Sequence, residues 1–332
     1  MKAAVLEGVE KPLVIKPVAN PVPAAGFAVV RLMAAALNHR DLWIQKGRYA
    51  GLRFPIILGS DGAGVVEAVG SAGDRGWVGR PVIINPSLDW GDDPRVQGSG
   101  FRILGLPDDG TFAEAIAVPV ANLAPRPGHL AVEQAAALPL AGLTAWRALF
   151  ARGRLSAGEK VLITGIGGGV ALLALQFAVT AGATVYVTSG SAEKSARART
   201  LGAAGGANYR DADWPAQLRQ QAGLFDLIMD SAMGEGLAPL IELTRPGGRI
   251  VFYGATTGNP PGFDARKVFF RQISLLGTTM GSPADFAAMV HHVEARRIVP
   301  VIDTALPLEC AEQALRRLET GAQFGKIVLT MA

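Results

Sequence analysis

The stretch Lys160-Val-Leu-Ile-Thr-Gly165-Ile-Gly-Gly168-Gly-Val-Ala171 decides how this chain folds. Val161–Ile163 reads as a short apolar strand that stops at a glycine-dense turn. From Val170 to Ala181 the sequence reads as an apolar helix, and a second β-rich run, Val185–Val187, follows. Strand, glycine turn, helix and strand in that order form the opening β-α-β unit of a dinucleotide-binding fold. Glycines permit the tight turn and the close approach of a pyrophosphate, whose charge meets the unpaired amides of the helix N-terminus. Gly165, Gly167, Gly168, Gly169 and Val170 are therefore the candidate pyrophosphate-binding residues. The spacing Gly165-x-x-Gly168-x-x-Ala171 departs from the strict G-x-G-x-x-G pattern, so the flanking elements carry the reading more than the glycines do.

Downstream the same rhythm continues. Helix is expected at Ala192–Leu201, Pro215–Ala222 and Gly236–Leu243, and strand at Phe225–Asp230, Arg249–Tyr253 and Ile273–Gly277, with a helix over Pro283–Arg297. Strands alternating with helices at this spacing predict a doubly wound parallel sheet. Upstream the period changes to two. Ala3–Leu6, Phe27–Leu37, Gly64–Val69, Pro81–Ile84 and Phe112–Val118 read as short strands separated by Pro and Gly, as in a barrel-like or sandwich domain. Val132–Leu149 reads as helix interrupted at Pro139 and Gly142. The tail Gly325–Thr330 looks β again and is expected to return to the first domain. The expected division is 1–125 with 298–332 as the β-rich domain, and 126–297 as the dinucleotide-binding domain.

At 332 residues the chain has length for about two domains. Its net charge of +4 is small, and it has no basic block interleaved with aromatics, so a nucleic-acid partner is not expected. The longest apolar run near the glycine motif is too short to span a bilayer. Met1–Val5 does not read as a secretory signal, so no membrane role and a cytoplasmic location are expected. The single cysteine, Cys310, excludes an intrachain disulfide and a cysteine-rich metal site; with no nucleophile signature around it, it reads as a buried thiol.

Four further stretches carry a family resemblance over nearly the whole chain. They are Asn38-His-Arg-Asp41-Leu-Trp43, Gly59-Ser-Asp61-Gly-Ala-Gly64, Ala136-Ala-Leu-Pro139-Leu-Ala-Gly-Leu-Thr144-Ala-Trp146 and Arg245-Pro-Gly-Gly248-Arg-Ile-Val-Phe-Tyr-Gly254. In these the chain resembles the medium-chain dehydrogenase/reductase superfamily. The resemblance implies an α/β protein with a GroES-like β-rich substrate domain and a Rossmann doubly wound parallel sheet. It also implies a homodimer, with the strand Ile273–Gly277 pairing at a sheet edge, and contact of Thr144 with the cofactor. Phe252-Tyr-Gly-Ala-Thr-Thr257 follows a strand's carboxyl end, where open α/β sheets bind ligands, so Tyr253 and Gly254 read either as the nicotinamide neighbourhood or as an ordinary strand exit.

Catalytic zinc takes about three ligands of Cys, His, Asp or Glu type. Where zinc-dependent members of that superfamily hold theirs, this sequence aligns Asn38, Ser60 and Leu140, and Pro86–Gly105 replaces the four-cysteine structural lobe. No metal is expected. The resemblance is then to the quinone oxidoreductases and NADPH-dependent enone reductases.

NAD-selective folds usually end the second strand in Asp or Glu, which binds the adenosine ribose. Here Val185-Tyr-Val-Thr188 runs into Ser189-Gly-Ser191, with no carboxylate before Glu193 and with Lys194 and Arg197 beyond it. Hydroxyls and cations suit a 2′-phosphate. Ser189 and Lys194 are the candidates, although a solvated helix face also accounts for Lys194 and Arg197. Tyr209 resembles a family position near the same phosphate. The expected cofactor is NADPH.

Hydride transfer leaves negative charge on the acceptor oxygen, which needs a hydrogen-bond donor. The candidates are Asn38 through its amide, Tyr49 through its hydroxyl, and Asp41 as an orienting group or as an ordinary turn cap. His39 reads equally as a phosphate contact or a polar loop residue. The expected partner is a small carbonyl or quinone. A metal-free alcohol dehydrogenase or aldehyde reductase and a non-catalytic NADPH-binding redox sensor remain as alternatives.

Overall fold

In a computed structural model that describes residues 1–331, the chain divides into two compact units. One is Met1–Leu143 together with the chain from Gly281 onward, and the other is Thr144–Met280. Ala332, the last residue of the expected segment 298–332, lies outside the described residues.

The second unit is built on six parallel strands. Their order is Gly205–Asn208, Thr184–Ser189, Lys160–Ile163, Phe225–Asp230, Thr244–Phe252 and Ser274–Gly277. Lys160–Ile163, which leads into the glycine turn, is thus flanked by the first and the third of the strands that follow it, so the order reverses beside it. Ligands of open α/β sheets bind at the carboxyl ends of the strands at such a reversal. The helix Gly169–Thr180 has a nearly continuous run of apolar residues because Ala171–Leu175, Phe177 and Ala178 are all buried against the sheet.

The first unit carries the mixed sheet Leu123–Pro125, Pro81–Ile84, Asp61–Val69, Phe27–Ala36, Lys326–Thr330 and Ile302–Pro307, with Ala115–Pro119 also on Phe27–Ala36. A three-stranded sheet of Leu13–Pro17, Lys2–Leu6 and Ile56–Ile57 accompanies it. The terminal strand pairs antiparallel with Phe27–Ala36, Val328 opposite Ala36 and Leu329 opposite Ala35. The tail therefore belongs to the N-terminal unit, and Leu37 N–H donating to the Ile327 carbonyl continues the register toward Asn38.

Several elements differ from expectation. Pro139 does not interrupt a helix but starts one: Val132–Ala136 ends before it and Pro139–Trp146 begins on it, as its missing N–H allows. Gly142 stays within that helix, where its lack of a side chain admits close packing: a Cβ there would lie 2.8 Å from Leu138 and 3.2 Å from the Met289 sulfur. The helix Pro283–Arg296 consequently packs with the first unit. Val132–Ala136 also packs there, on Phe27–Ala36 and Asp61–Val69, so the unit boundaries fall inside the expected second domain rather than near 125 and 298. Pro86–Gly105 forms a ribbon of Ser87–Leu88 with Arg102–Ile103, closed by buried Trp90 against Phe101.

Candidate functional site

In the second unit the glycine turn is tied at its base. Gly165 N–H donates to the Thr188 hydroxyl at 3.1 Å and Ile166 N–H to the Thr188 carbonyl at 2.8 Å. Gly165 has φ +64° and Gly167 φ +137°, backbone that side chains resist. A Cβ at Gly165 or Gly168 would meet open space, so the backbone is free for close approach by a ligand. Gly168 caps the helix that starts at Gly169 and continues through Val170, and the free amides of that first turn are the natural seat of an anion.

At the end of the neighbouring strand, the Ser189 hydroxyl accepts from Ser191 N–H and the Ser191 hydroxyl accepts from Lys194 N–H. The first carboxylate beyond the strand, Glu193, is exposed on the following helix. Tyr209 and Arg210 converge on Gly190. A Cβ there would lie 2.7 Å from the Tyr209 hydroxyl and 2.8 Å from Arg210 Nε. Sequence reasoning found Tyr209 and missed Arg210, whose only signal was its place beside it.

Tyr253 and Gly254 line an open pocket of about 360 Å³ together with Met233, Asn259, Pro260 and Thr278. The Thr278 hydroxyl is buried there without a partner among the described residues. Burial raises the pKa of the Tyr253 phenol above its usual range, so it stays protonated. Asp230, at the end of its strand, takes the Ala232 and Met233 amides on one oxygen and fixes the turn beside this pocket. Thr144, also in this unit, is buried at the end of Pro139–Trp146.

In the first unit Asn38 stands at the start of the helix His39–Gln45. Its amide Nδ2 donates to Asp61 Oδ2 at 2.9 Å, and its Oδ1 accepts from Lys326 Nζ at 2.6 Å. Lys326 also donates to Asp61 Oδ2 at 2.9 Å and to the Leu37 carbonyl at 2.5 Å. The other Asp61 oxygen accepts from Leu140 N–H at 2.7 Å. Asn38, Asp61 and Lys326 are all buried.

Asp41 holds the Asn38 backbone and caps the helix in the same contact. Its two oxygens accept from Asn38 N–H at 2.8 Å and Gly59 N–H at 3.3 Å, so it caps the helix and braces a loop. Complete burial, only partly offset by the nearby Arg40 charge, raises its pKa to about 6. Tyr49 is half-buried, its ring under the Arg40 guanidinium at 5.1 Å. Arg40 donates to the Ser60 hydroxyl and to the Leu104 and Leu106 carbonyls, tying the Pro86–Gly105 ribbon to this corner. His39 is exposed at its solvent edge, while the packing on its inner side and then the Lys326 charge lower its pKa. Cys310 is half-buried at the start of the helix Ala311–Glu319, not the buried thiol expected. Sequence reasoning missed Asp61 and Lys326. The one signal for Lys326 was a lysine opening an otherwise apolar strand.

Residues 24–128 match the alcohol dehydrogenase GroES-like domain family, and residues 169–295 match the zinc-binding dehydrogenase family. A zinc-type alcohol dehydrogenase-like protein, YogA of Leptosphaeria maculans, is 37% identical over 96% of this chain and 94% of its own. The chain belongs to the medium-chain dehydrogenase/reductase superfamily. It is an oxidoreductase of that superfamily, with the GroES-like and Rossmann architecture expected. Other members similar to it are the quinone oxidoreductase of Mus musculus, 28% identical over 94% of this chain and 91% of that one. The crystal structure of an NAD-dependent alcohol dehydrogenase has a TM-score of 0.93 at 38% identity, covering all of both chains.

Zinc-type members raise the question of a metal. Of the three positions aligned with zinc ligands, Asn38 and Leu140 meet on Asp61, and Ser60 is the residue before it. An amide, a hydroxyl and a leucine do not fit a zinc ion, and the one carboxylate among them is already paired with the Lys326 ammonium. Among the described residues no group of three or more His, Cys, Asp or Glu is arranged to hold a metal, and no helix is long and apolar enough to cross a membrane. The second unit, by contrast, fits a dinucleotide: an open glycine turn, a free helix N-terminus, and a hydroxyl and a guanidinium over Gly190 where an acid would select NAD.

Proposed function

We propose that this oxidoreductase is NADPH-dependent and reduces a quinone or an α,β-unsaturated carbonyl without catalytic zinc. The observation that carries the proposal is the end of the strand Thr184–Ser189. Tyr209 and Arg210 converge there on Gly190, the Ser189 and Ser191 hydroxyls lie alongside, and no carboxylate precedes Glu193. A planar guanidinium and hydroxyls suit a 2′-phosphate and leave no carboxylate to accept from a ribose diol.

The backbone of Gly165, Gly167, Gly168, Gly169 and Val170 would hold the pyrophosphate. Ser189, Lys194, Tyr209 and Arg210 would hold the phosphate, with Thr144, Tyr253 and Gly254 lining the remainder. NADPH, when bound, supplies the hydride. Asn38 donates a hydrogen bond to the acceptor oxygen as negative charge develops on it, and Tyr49 is the second candidate donor. Asp41 holds the loop rather than the acceptor, since both its oxygens are taken.

A second reading, a metal-free alcohol dehydrogenase or aldehyde reductase, draws on the names of the YogA and NAD-dependent relatives. The two differ in acceptor. The test follows NADPH and NADH absorbance in the presence of a chelator, with phenanthrenequinone, an enone and an aldehyde as acceptors. NADPH-selective turnover of quinone or enone supports the proposal. Equal rates with NADH, or loss of activity to the chelator, overturn it, and oxidation of alcohols in preference favours the second reading. Cofactor binding without turnover of any acceptor would instead mark a redox sensor.

The partner is a small molecule and, we further propose, a second copy of the chain. The strand Ser274–Gly277 is an edge of the parallel sheet, and stacked Phe269 and Phe270 just before it are 61% and 79% exposed. An unpaired edge beside apolar surface is a template for strand pairing.

A further inference from the structure

The Asn38 carboxamide is held at both ends by groups from distant parts of the chain. We propose that Lys326 and Asp61 are positioning residues, which lock the Asn38 amide so that its one remaining N–H is presented to the acceptor oxygen. This deepens the reading of Asn38 as the donor to that oxygen and rests on it.

An ammonium only donates and an ionised carboxylate only accepts, so their contacts assign the amide without ambiguity. Oδ1 faces Lys326 and Nδ2 faces Asp61. Lys326 has three protons, and all are used, on Leu37, Asn38 and Asp61. It has none left for a substrate, so its part in the reaction is indirect. Asp61 is fixed in turn by Leu140 N–H on its other oxygen and by the Thr111 hydroxyl on its backbone carbonyl. The Asn38 backbone is held by Asp41.

One Nδ2 proton alone remains without a protein partner among the described residues. The Lys326 ammonium against Oδ1 polarises the amide and makes that proton a stronger donor, with little screening by water because the cluster is buried. A preformed donor of this kind needs no reorganisation as charge develops. A buried ion pair contributes little to stability beyond what apolar residues would give. The cluster therefore invites a functional test.

The test uses the full chain with NADPH and its best quinone or enone. Lys326→Met alone strands a buried carboxylate and threatens folding, so the working variant is Asp61→Asn with Lys326→Met, compared with Asn38→Ala and with all three together. The neutral pair is expected to lower kcat by about tenfold to a hundredfold, with KM and the NADPH Kd held within about twofold. On the Asn38→Ala background it is expected to cost nothing further, because the three act as one unit. Full kcat in the neutral pair while Asn38→Ala is slow overturns the positioning role. An equal loss on the Asn38→Ala background overturns it too, as the mark of a purely structural effect. If Asn38→Ala itself keeps the wild-type rate, the donor reading fails and takes this inference with it.

A second readout needs no acceptor. In asparagine-labelled protein the two N–H resonances of the Asn38 amide, assigned by their loss in Asn38→Ala, are expected to exchange with solvent at distinct rates. In the neutral pair the rates are expected to converge. Equal exchange in the native protein overturns the proposal.

Discussion

Arg249 and Glu159 hold each other through two parallel hydrogen bonds, Nη1 to Oε1 at 2.8 Å and Nη2 to Oε2 at 2.7 Å. They sit at the end of the parallel sheet away from the glycine turn, and Arg249 Nε also donates to the Gly153 carbonyl. Burial pushes the Glu159 carboxyl up, but the Arg249 hydrogen bonds outweigh it and leave the pKa below its ordinary value. A depressed carboxyl stabilises the fold above the unfolded-state pKa and loses that contribution as pH falls through the folded one. Arg249→Met is expected to cost about 2 kcal/mol at neutral pH, less than the loss from breaking a fully buried pair. Urea denaturation at pH 7 and pH 3 measures it. The penalty should shrink at the lower pH, and cofactor affinity should not change.

Asp41 works in the opposite sense. Its pKa in the fold is about 6 against an ordinary 3.8, so between those values the native state keeps a proton that the unfolded chain has released. Its contribution to stability therefore falls as pH rises from about 4 to about 6, by about 3 kcal/mol in all. Asp41→Asn removes this titration. Denaturation across that range is expected to show a flatter profile in the variant, and an unchanged slope would refute the assignment.

In the proposed NADPH site Arg210 is the residue on which cofactor selectivity would turn. A hydrogen bond to a charged group contributes about 1.5–3 kcal/mol. Arg210→Ala is expected to raise the Kd for NADPH by about tenfold or more while leaving that for NADH alone. Fluorescence titration with both cofactors measures the ratio. Equal weakening of both would place Arg210 on the shared part of the nucleotide.

The edge strand gives a prediction about assembly. Sedimentation of the wild-type protein is expected to give twice the 34.6 kDa of one chain, and Phe270→Glu to shift the mass toward a single copy. A wild-type monomer would remove the dimer proposal.

Much of the parallel sheet was legible because its signals are local. Val161–Ile163 and Phe225–Asp230 are apolar runs with turn residues on either side, and the structure places strands at Lys160–Ile163 and Phe225–Asp230. Gly205–Asn208 was invisible, since Gly-Gly-Ala-Asn has no strand propensity. It is a strand because it pairs with Tyr186–Ser189, where a Cβ on Gly206 would lie 2.3 Å from the Val187 carbonyl. Tertiary pairing selected glycine there, against local preference.

The candidate site divides in the same way. Gly165–Val170 was readable as a nucleotide turn because the residues that shape it are consecutive. Asn38 was readable as a donor, but not what orients it. Asp61 looked like part of a glycine-rich motif and Leu140 like a lost metal ligand, whose contribution is a backbone N–H that no side-chain alignment registers.

By itself, then, the sequence determined a strand–glycine turn–helix–strand unit and placed amide, hydroxyl and leucine at the positions aligned with zinc ligands. Only the tertiary structure decided what gathers there instead. The terminal strand meets Phe27–Ala36 with Val328 opposite Ala36, a register that brings Lys326 level with Asn38. Gly325, at φ +118° and against the Val301 carbonyl, makes the turn that admits it. Lys326 and Asp61 are 265 positions apart. Periodicity and capping act over a few residues and are written into local sequence. A strand register depends on which side chains both faces can bury, and that is settled only when the whole sheet assembles.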